Sequence, residues 1–134
     1  TDWLFGQGPI RVLVVETGAN DGLRGQPVDS LRANLDLILT KAAGLTPKPI
    51  LVVAGMEAPP NLGRRYAEEF RAVFPAAAKT HGAVFLPFLL DGVAGVEALN
   101  QPDGIHPNPQ GARRVLDNVW KTLRPILDSL SRQP

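Results

Sequence analysis

Ile10-Arg11-Val12-Leu13-Val14-Val15-Glu16-Thr17-Gly18-Ala19-Asn20-Asp21-Gly22 is the stretch that decides how this chain folds. Its first half is a short β-branched run after Pro9, apolar at both odd and even positions. A strand buried on one face alternates apolar and polar residues, whereas one apolar on both parities is buried on two, as in a parallel sheet. Its second half is a glycine-rich turn that places the carboxamide of Asn20 directly after the strand. Ile50-Leu51-Val52-Val53-Ala54-Gly55, following Pro49, repeats the apolar pattern. Ala83-Val84-Phe85-Leu86-Pro87 is a third, shorter run whose proline suits a strand end or an edge.

Helical periodicity fills the intervals. Val28, Leu31, Leu35, Ile38 and Ala42 recur at helical spacing, with Asp29 or Ser30 as the expected N-cap and Gly44 after the last turn. Tyr66, Phe70, Val73 and Phe74 give a second apolar face, expected to be kinked or ended by Pro75. The last helix is the best specified: Asn108 suits its N-cap and Pro109 its first position. Ala112, Val115, Leu116, Val119, Leu123, Ile126 and Leu127 are its expected buried stripe, with a bend at Pro125.

Strands alternating with helices predict an α/β class, a parallel sheet with helices on both faces, and a single domain over residues 1–134. Ligands collect at the carboxyl ends of such strands. Residues 18–22, residues 56–63 and the segment bearing Asp103 and His106 are therefore expected on one rim. The arithmetic of the sheet is awkward. A strand as apolar as residues 10–15 is hazardous at an exposed edge, so it reads as a central strand whose neighbour lies outside these 134 residues.

Bulk properties exclude several classes. A length of 134 residues suffices for one hydrophobic core, and 44% hydrophobic with 20% charged residues is ordinary for a globular protein. A formal net charge of +1 gives no electrostatic case for nucleic acid or an anionic membrane surface as partner. Arg64-Arg65 and Arg113-Arg114 fall in predicted helices with acidic neighbours and read as solvated faces. Cysteine is absent, which removes disulfides, thiolate catalysis and cysteine metal sites and leaves the compartment open. No run approaches the ~18 apolar residues of a membrane span. The start, Thr1-Asp2-Trp3-Leu4-Phe5-Gly6, lacks the basic, apolar, small-residue order of a signal peptide.

Two constellations carry chemistry. In Asp103-Gly104-Ile105-His106-Pro107-Asn108 a carboxylate precedes an imidazole by three residues, close enough to meet without long loop closure. An imidazole acts as general base once its tautomer is fixed, usually by a carboxylate on the far nitrogen. Spacing alone leaves open a plain loop histidine before a proline and a turn-forming aspartate. His81, the only other histidine, precedes Gly82 and reads as a helix C-terminal residue favouring the negative end of the dipole, so no metal site is expected. Asn20 can donate its amide to an oxyanion, where losing one donor costs ~2.7–4 kcal/mol. The alternative for Asn20 is an Asn-Asp turn bonded to its own backbone. A phosphate-cradling loop lacks support, because neither a Walker lysine nor G-x-G-x-x-G is present.

Together, Gly18-Ala19-Asn20-Asp21-Gly22-Leu23-Arg24-Gly25 after an apolar strand and Asp103-Gly104-Ile105-His106-Pro107-Asn108 before the last helix resemble the third and fifth blocks of the SGNH (GDSL-type) hydrolases. The likeness is to the small bacterial arylesterase and lysophospholipase/thioesterase branch, and it runs over nearly the whole chain. Ala58-Pro59-Pro60-Asn61-Leu62-Gly63-Arg64-Arg65-Tyr66 is similar to the substrate-side loop of that branch. Seen as a fold alone, that segment reads equally as a rigid connector.

The resemblance implies a three-layer α/β/α flavodoxin-like fold and hydrolysis of small acyl esters, thioesters or lysophospholipids through an acyl-enzyme, without metal or cofactor. It implies Asn20 as oxyanion donor, His106 as general base, Asp103 as its orienting partner, and Asn61 and Tyr66 on the substrate side. A periplasmic or secreted location is implied by the branch alone. The family's Gly-Asp-Ser block and the glycine of its second block do not occur here, so the nucleophile is unassigned and expected outside this chain. Ser30, Ser129 and Ser131 are the only serines, and none sits at a strand-to-helix elbow. The chain is thus expected to be the C-terminal two-thirds of the domain, with the absent strands beside residues 10–15 and possession of the nucleophile left to a separate N-terminal fragment or a longer polypeptide. A truncated, non-catalytic α/β module that binds a ligand or partner is the alternative.

Overall fold

The apolar runs pair as parallel strands. In the structure, a computed structural model that describes residues 2–132, β1 (Val12–Val15), β2 (Ile50–Ala54) and β3 (Val84–Leu86) form one sheet in the order β1-β2-β3. Val12 aligns with Ile50 and Val15 with Val53, while Val52 aligns with Val84 and Ala54 with Leu86. Helices α1 (Asp2–Phe5), α2 (Ala19–Leu23), α3 (Val28–Ala43), α4 (Arg64–His81) and α5 (Pro109–Ser131) complete the chain, with short 3-10 turns at Pro60–Leu62 and Glu97–Leu99. It divides between Leu86 and Pro87 into two compact units.

The first unit holds the sheet and its core. β2 is the central strand, and Leu51, Val52, Val53 and Ala54 are all buried. Leu31, Leu35, Leu39 and Ala42 of α3 and Phe70, Val73, Phe74 and Ala78 of α4 are buried with them, the two helices packing on each other and on β2. Each large side chain so buried contributes roughly 1.5–3 kcal/mol.

Several expectations need correction. β1 is not covered on both faces: Leu13 and Val15 are buried but Val14 is 41% exposed. Among the described residues the strand pairs with β2 alone and its other side is unpaired, as expected of a strand whose second neighbour lies elsewhere. The Ile50 amide donates to the Arg11 carbonyl, so by alternation Leu13 and Val15 bond toward β2, while Val12 and Val14 direct their main-chain groups away from it. The N-cap of α3 is Pro27, with no side-chain cap, rather than Asp29 or Ser30. Pro27 already has the extended ψ of a cap, 126°, and this draws both polar residues into the first turn. Pro75 does not end α4, which runs on to His81. Buried Phe74 before the proline and Ala78 after it hold the helix together against a local cost of ~3 kcal/mol.

The second unit is built on α5, which packs against the Glu97–Leu99 turn. Of its predicted stripe only Ile126 is buried; Leu116 is 60% exposed and Leu127 41%, and Trp120 on the same helix is also exposed. Period reports which side of a helix is apolar, not whether anything lies against that side. No described helix is long and apolar enough to cross a membrane.

Candidate active site

Asn20 is placed by packing from distant residues. The expected turn at residues 18–22 is instead the start of α2, with Gly18 as its N-cap at φ 92°. Asn20 is the second helical residue, exposed, and its amide has no hydrogen-bond partner among the described residues. The self-bonded Asn-Asp turn therefore does not form, and the amide is left able to donate. Beneath it the backbone lies directly on side chains of α3 and α4. A Cβ on Gly18 would stand 2.9 Å from Leu31 Cδ1 and 3.3 Å from Phe74 Cζ, and one on Gly22 would stand 2.9 Å from Phe70 Cζ. Only glycine allows so close an approach at these two positions, and at Gly18 only glycine adopts the φ readily.

The platform is an aromatic column along α4. Tyr66 stacks on Phe70 at 6.0 Å between centroids, and Phe70 meets Phe74 edge-on at 5.4 Å. The Tyr66 hydroxyl reaches past it, donating to the Gln26 carbonyl at 2.8 Å and more weakly toward the Asp21 carbonyl at 3.3 Å. Burial, then the negative charge of Asp21, raises the Tyr66 pKa above the usual phenol value. Tyr66 is thus a helical residue tied to the Asn20 segment rather than part of a loop. The signal for this was present in sequence as aromatics at i, i+4 and i+8 and glycines four apart, but their meeting spans over 40 residues.

Asp103 and His106, by contrast, are placed by their own loop. An antiparallel bridge between Asn100 and Pro107 closes residues 101–106, reinforced by the Gln101 amide donating to the His106 carbonyl at 2.7 Å. Within it Asp103 Oδ1 accepts from the Ile105 and His106 amides at 2.9 and 3.0 Å, and Oδ2 lies 2.7 Å from His106 Nδ1. The two backbone-amide bonds and the imidazole contact, the His106 amide foremost, hold the Asp103 carboxyl down at about 2. An ionised carboxylate can only accept, so Nδ1 carries the proton and Nε2 has its lone pair available. Asn108 locks the loop to α5: its Oδ1 caps the Gln110 and Gly111 amides, and its Nδ2 donates to the Ala98 and Asn100 carbonyls.

The remaining candidates are dispersed. Asn61 is exposed in the Pro60–Leu62 turn, and Gly63 turns the chain into α4. Ser129 and Ser131 donate to the Ile126 and Asp128 carbonyls of their own helix, and Ser30 is an exposed residue in the first turn of α3. His81 does more than cap a dipole, since its Nε2 lies 2.7 Å from Asp36 Oδ1 on α3. Among the described residues no three His, Cys, Asp or Glu side chains group as metal ligands. Asn20 belongs to the first unit, Asp103 and His106 to the second.

Comparison with known proteins gives the class. A family model, the GDSL-like lipase/acylhydrolase family, matches residues 2–114, and the chain belongs to that family. It is 43% identical over 116 residues to the esterase TesA of Pseudomonas aeruginosa, covering 87% of this chain and 57% of that protein. It is 35% identical over 125 residues to thioesterase 1/protease 1/lysophospholipase L1 of Escherichia coli, covering 93% and 59%. The crystal structure of the psychrotrophic esterase EstA from Pseudoalteromonas sp., inhibited by monoethylphosphonate, superposes with a TM-score of 0.84 at 30% identity, covering 95% of this chain and 68% of that one. The fold is accordingly α/β of the flavodoxin-like type found in SGNH esterases. The chain spans less than three-fifths of the length of the two sequence relatives.

Proposed function

We propose that residues 1–134 form most of one hydrolase domain that cleaves carboxylic esters through an acyl-enzyme, with the nucleophilic serine on polypeptide outside these residues. The observation that carries this reading is the 2.7 Å contact between Asp103 Oδ2 and His106 Nδ1, with Nε2 free of any partner among the described residues. His106 Nε2 takes the serine proton as the oxygen attacks the carbonyl carbon, and Asp103 stabilises the imidazolium so formed. The Asn20 amide donates to the developing oxyanion. His106 then returns the proton to the leaving alkoxide, which departs as alcohol. Water, deprotonated by the same nitrogen, releases the acid and regenerates the serine. Thioesters and lysophospholipids fall within the same chemistry, as the names of the relatives suggest, and residues 58–63 with Asn61 are assigned to the substrate side. No step calls for a metal or cofactor.

The test is to label the complete enzyme with a fluorophosphonate and map the adduct. An adduct on a serine outside residues 1–134, abolished by His106→Ala, is the expected result. An adduct on Ser30, Ser129 or Ser131, or turnover that survives His106→Ala, would overturn the reading.

A further inference from the structure

Resting on the reading of Asn20 as oxyanion donor, we propose that Tyr66 is a positioning residue for Asn20, its hydroxyl fixing the short helix that presents the amide. α2 has five residues, far below the ~12–15 at which a helix begins to hold itself together in water. Its placement is therefore set by what it touches. The rings of Phe70 and Phe74 supply a floor at Gly22 and Gly18, but ring contacts are non-directional and leave α2 able to slide or roll on them. A hydrogen bond to a carbonyl is directional. The Tyr66 hydroxyl has one proton, given mainly to the Gln26 carbonyl at 2.8 Å and shared with Asp21 at 3.3 Å. It thus grips the chain within α2 and again just beyond it. The Gln26 amide in turn donates to the Asp21 carbonyl at 2.9 Å, and the Arg24 amide to the Asn20 carbonyl at 3.1 Å, so the grip is passed back to Asn20 itself. The same ring stacks on Phe70, which ties the hydroxyl's height to that of the floor. A phenol is protonated at neutral pH, so the hydroxyl is available there as a donor.

The experiment is a double-mutant cycle between Tyr66→Phe and Asn20→Ala in the complete enzyme, with steady-state hydrolysis of a soluble acyl ester as readout. Tyr66→Phe keeps the ring and removes only the hydroxyl. In the wild-type background kcat is expected to fall about tenfold, since a misplacement near 1 Å can cost 10²-fold, while KM moves by less than about twofold. In the Asn20→Ala background the same change should leave kcat within about twofold, because nothing remains to be positioned. Hydrogen exchange should quicken at residues 20–26 and stay unchanged in β2. An equal loss in both backgrounds, no loss in the wild-type background, or unaltered exchange at residues 20–26 overturns the role of Tyr66. Wild-type kcat in Asn20→Ala alone refutes the oxyanion reading itself, and the Tyr66 role with it, so the two failures are read from different arms.

Discussion

The seat of Asn20 and the loop of Asp103 and His106 hold comparable functional groups by opposite means. The loop is self-sufficient: a carboxylate, two amides and an imidazole within four residues satisfy one another, and the Asn100–Pro107 bridge closes them off. The seat is borrowed, since a five-residue helix rests on Leu31, Phe70, Phe74 and Tyr66 from two other helices. The first arrangement separates chemistry from stability, whereas the second binds them together. Substitutions in the loop should therefore silence the enzyme without unfolding it, and substitutions under the seat should do both.

The largest expected effect lies in the loop. His106→Ala in the complete enzyme should lower kcat on the order of 10⁶-fold, measured by single-turnover acylation, with the thermal midpoint nearly unchanged. Asp103→Asn should follow at about 10⁴-fold, because an amide can leave the imidazole in the wrong tautomer. A large drop in thermal midpoint for either would show the loop to be less independent than its bonding suggests. On the other side, Phe70→Ala removes a fully buried ring and should destabilise by about 3–5 kcal/mol in a denaturant titration. Gly22→Ala should cost about 1–3 kcal/mol, as the new methyl presses on the Phe70 ring. A Gly22→Ala protein of wild-type stability would mean that α2 floats free of its floor.

The smallest effect concerns acid. The Asp103 carboxyl is held at about 2 in the folded state against 3.8 ordinarily. Its folded pKa is depressed, so its contribution to stability is present above about pH 4 and disappears as the pH falls toward 2. The denaturation midpoints of wild type and Asp103→Asn should therefore converge over that interval, and a carbon-detected titration of Asp103 should centre near its lower end. Convergence at higher pH would indicate that the amide bonds to Oδ1 are weaker than their 2.9 and 3.0 Å lengths imply.

The same contrast explains what could be read from sequence. Parallel pairing followed from three apolar runs with helical periodicity between them, and a separation of three residues allowed Asp103 to meet His106. Both are local signals. The seat was not legible, because Gly22 and Phe70 are 48 positions apart and a turn with two glycines does not announce the ring beneath it. Burial failed for a related reason. Val14 and Leu116 carry the right apolar period, but a period cannot tell whether a partner covers the face, and both are exposed. Of the two outcomes expected at Pro75, a kink or an end, the end does not occur, because tertiary packing outweighs the local preference.

The exposed face of α5 has a practical side. The sequence has two tryptophans, and Trp3 is 76% exposed and Trp120 47%. Trp3 is largely in water while Trp120 is about half covered, so melting the fold should shift the emission of Trp3 very little and leave Trp120 to report most of the change. With Trp3 changed to Phe, Trp120 becomes a lone lamp on the helix surface, and a shift of its emission to the blue will announce the moment another body settles over it.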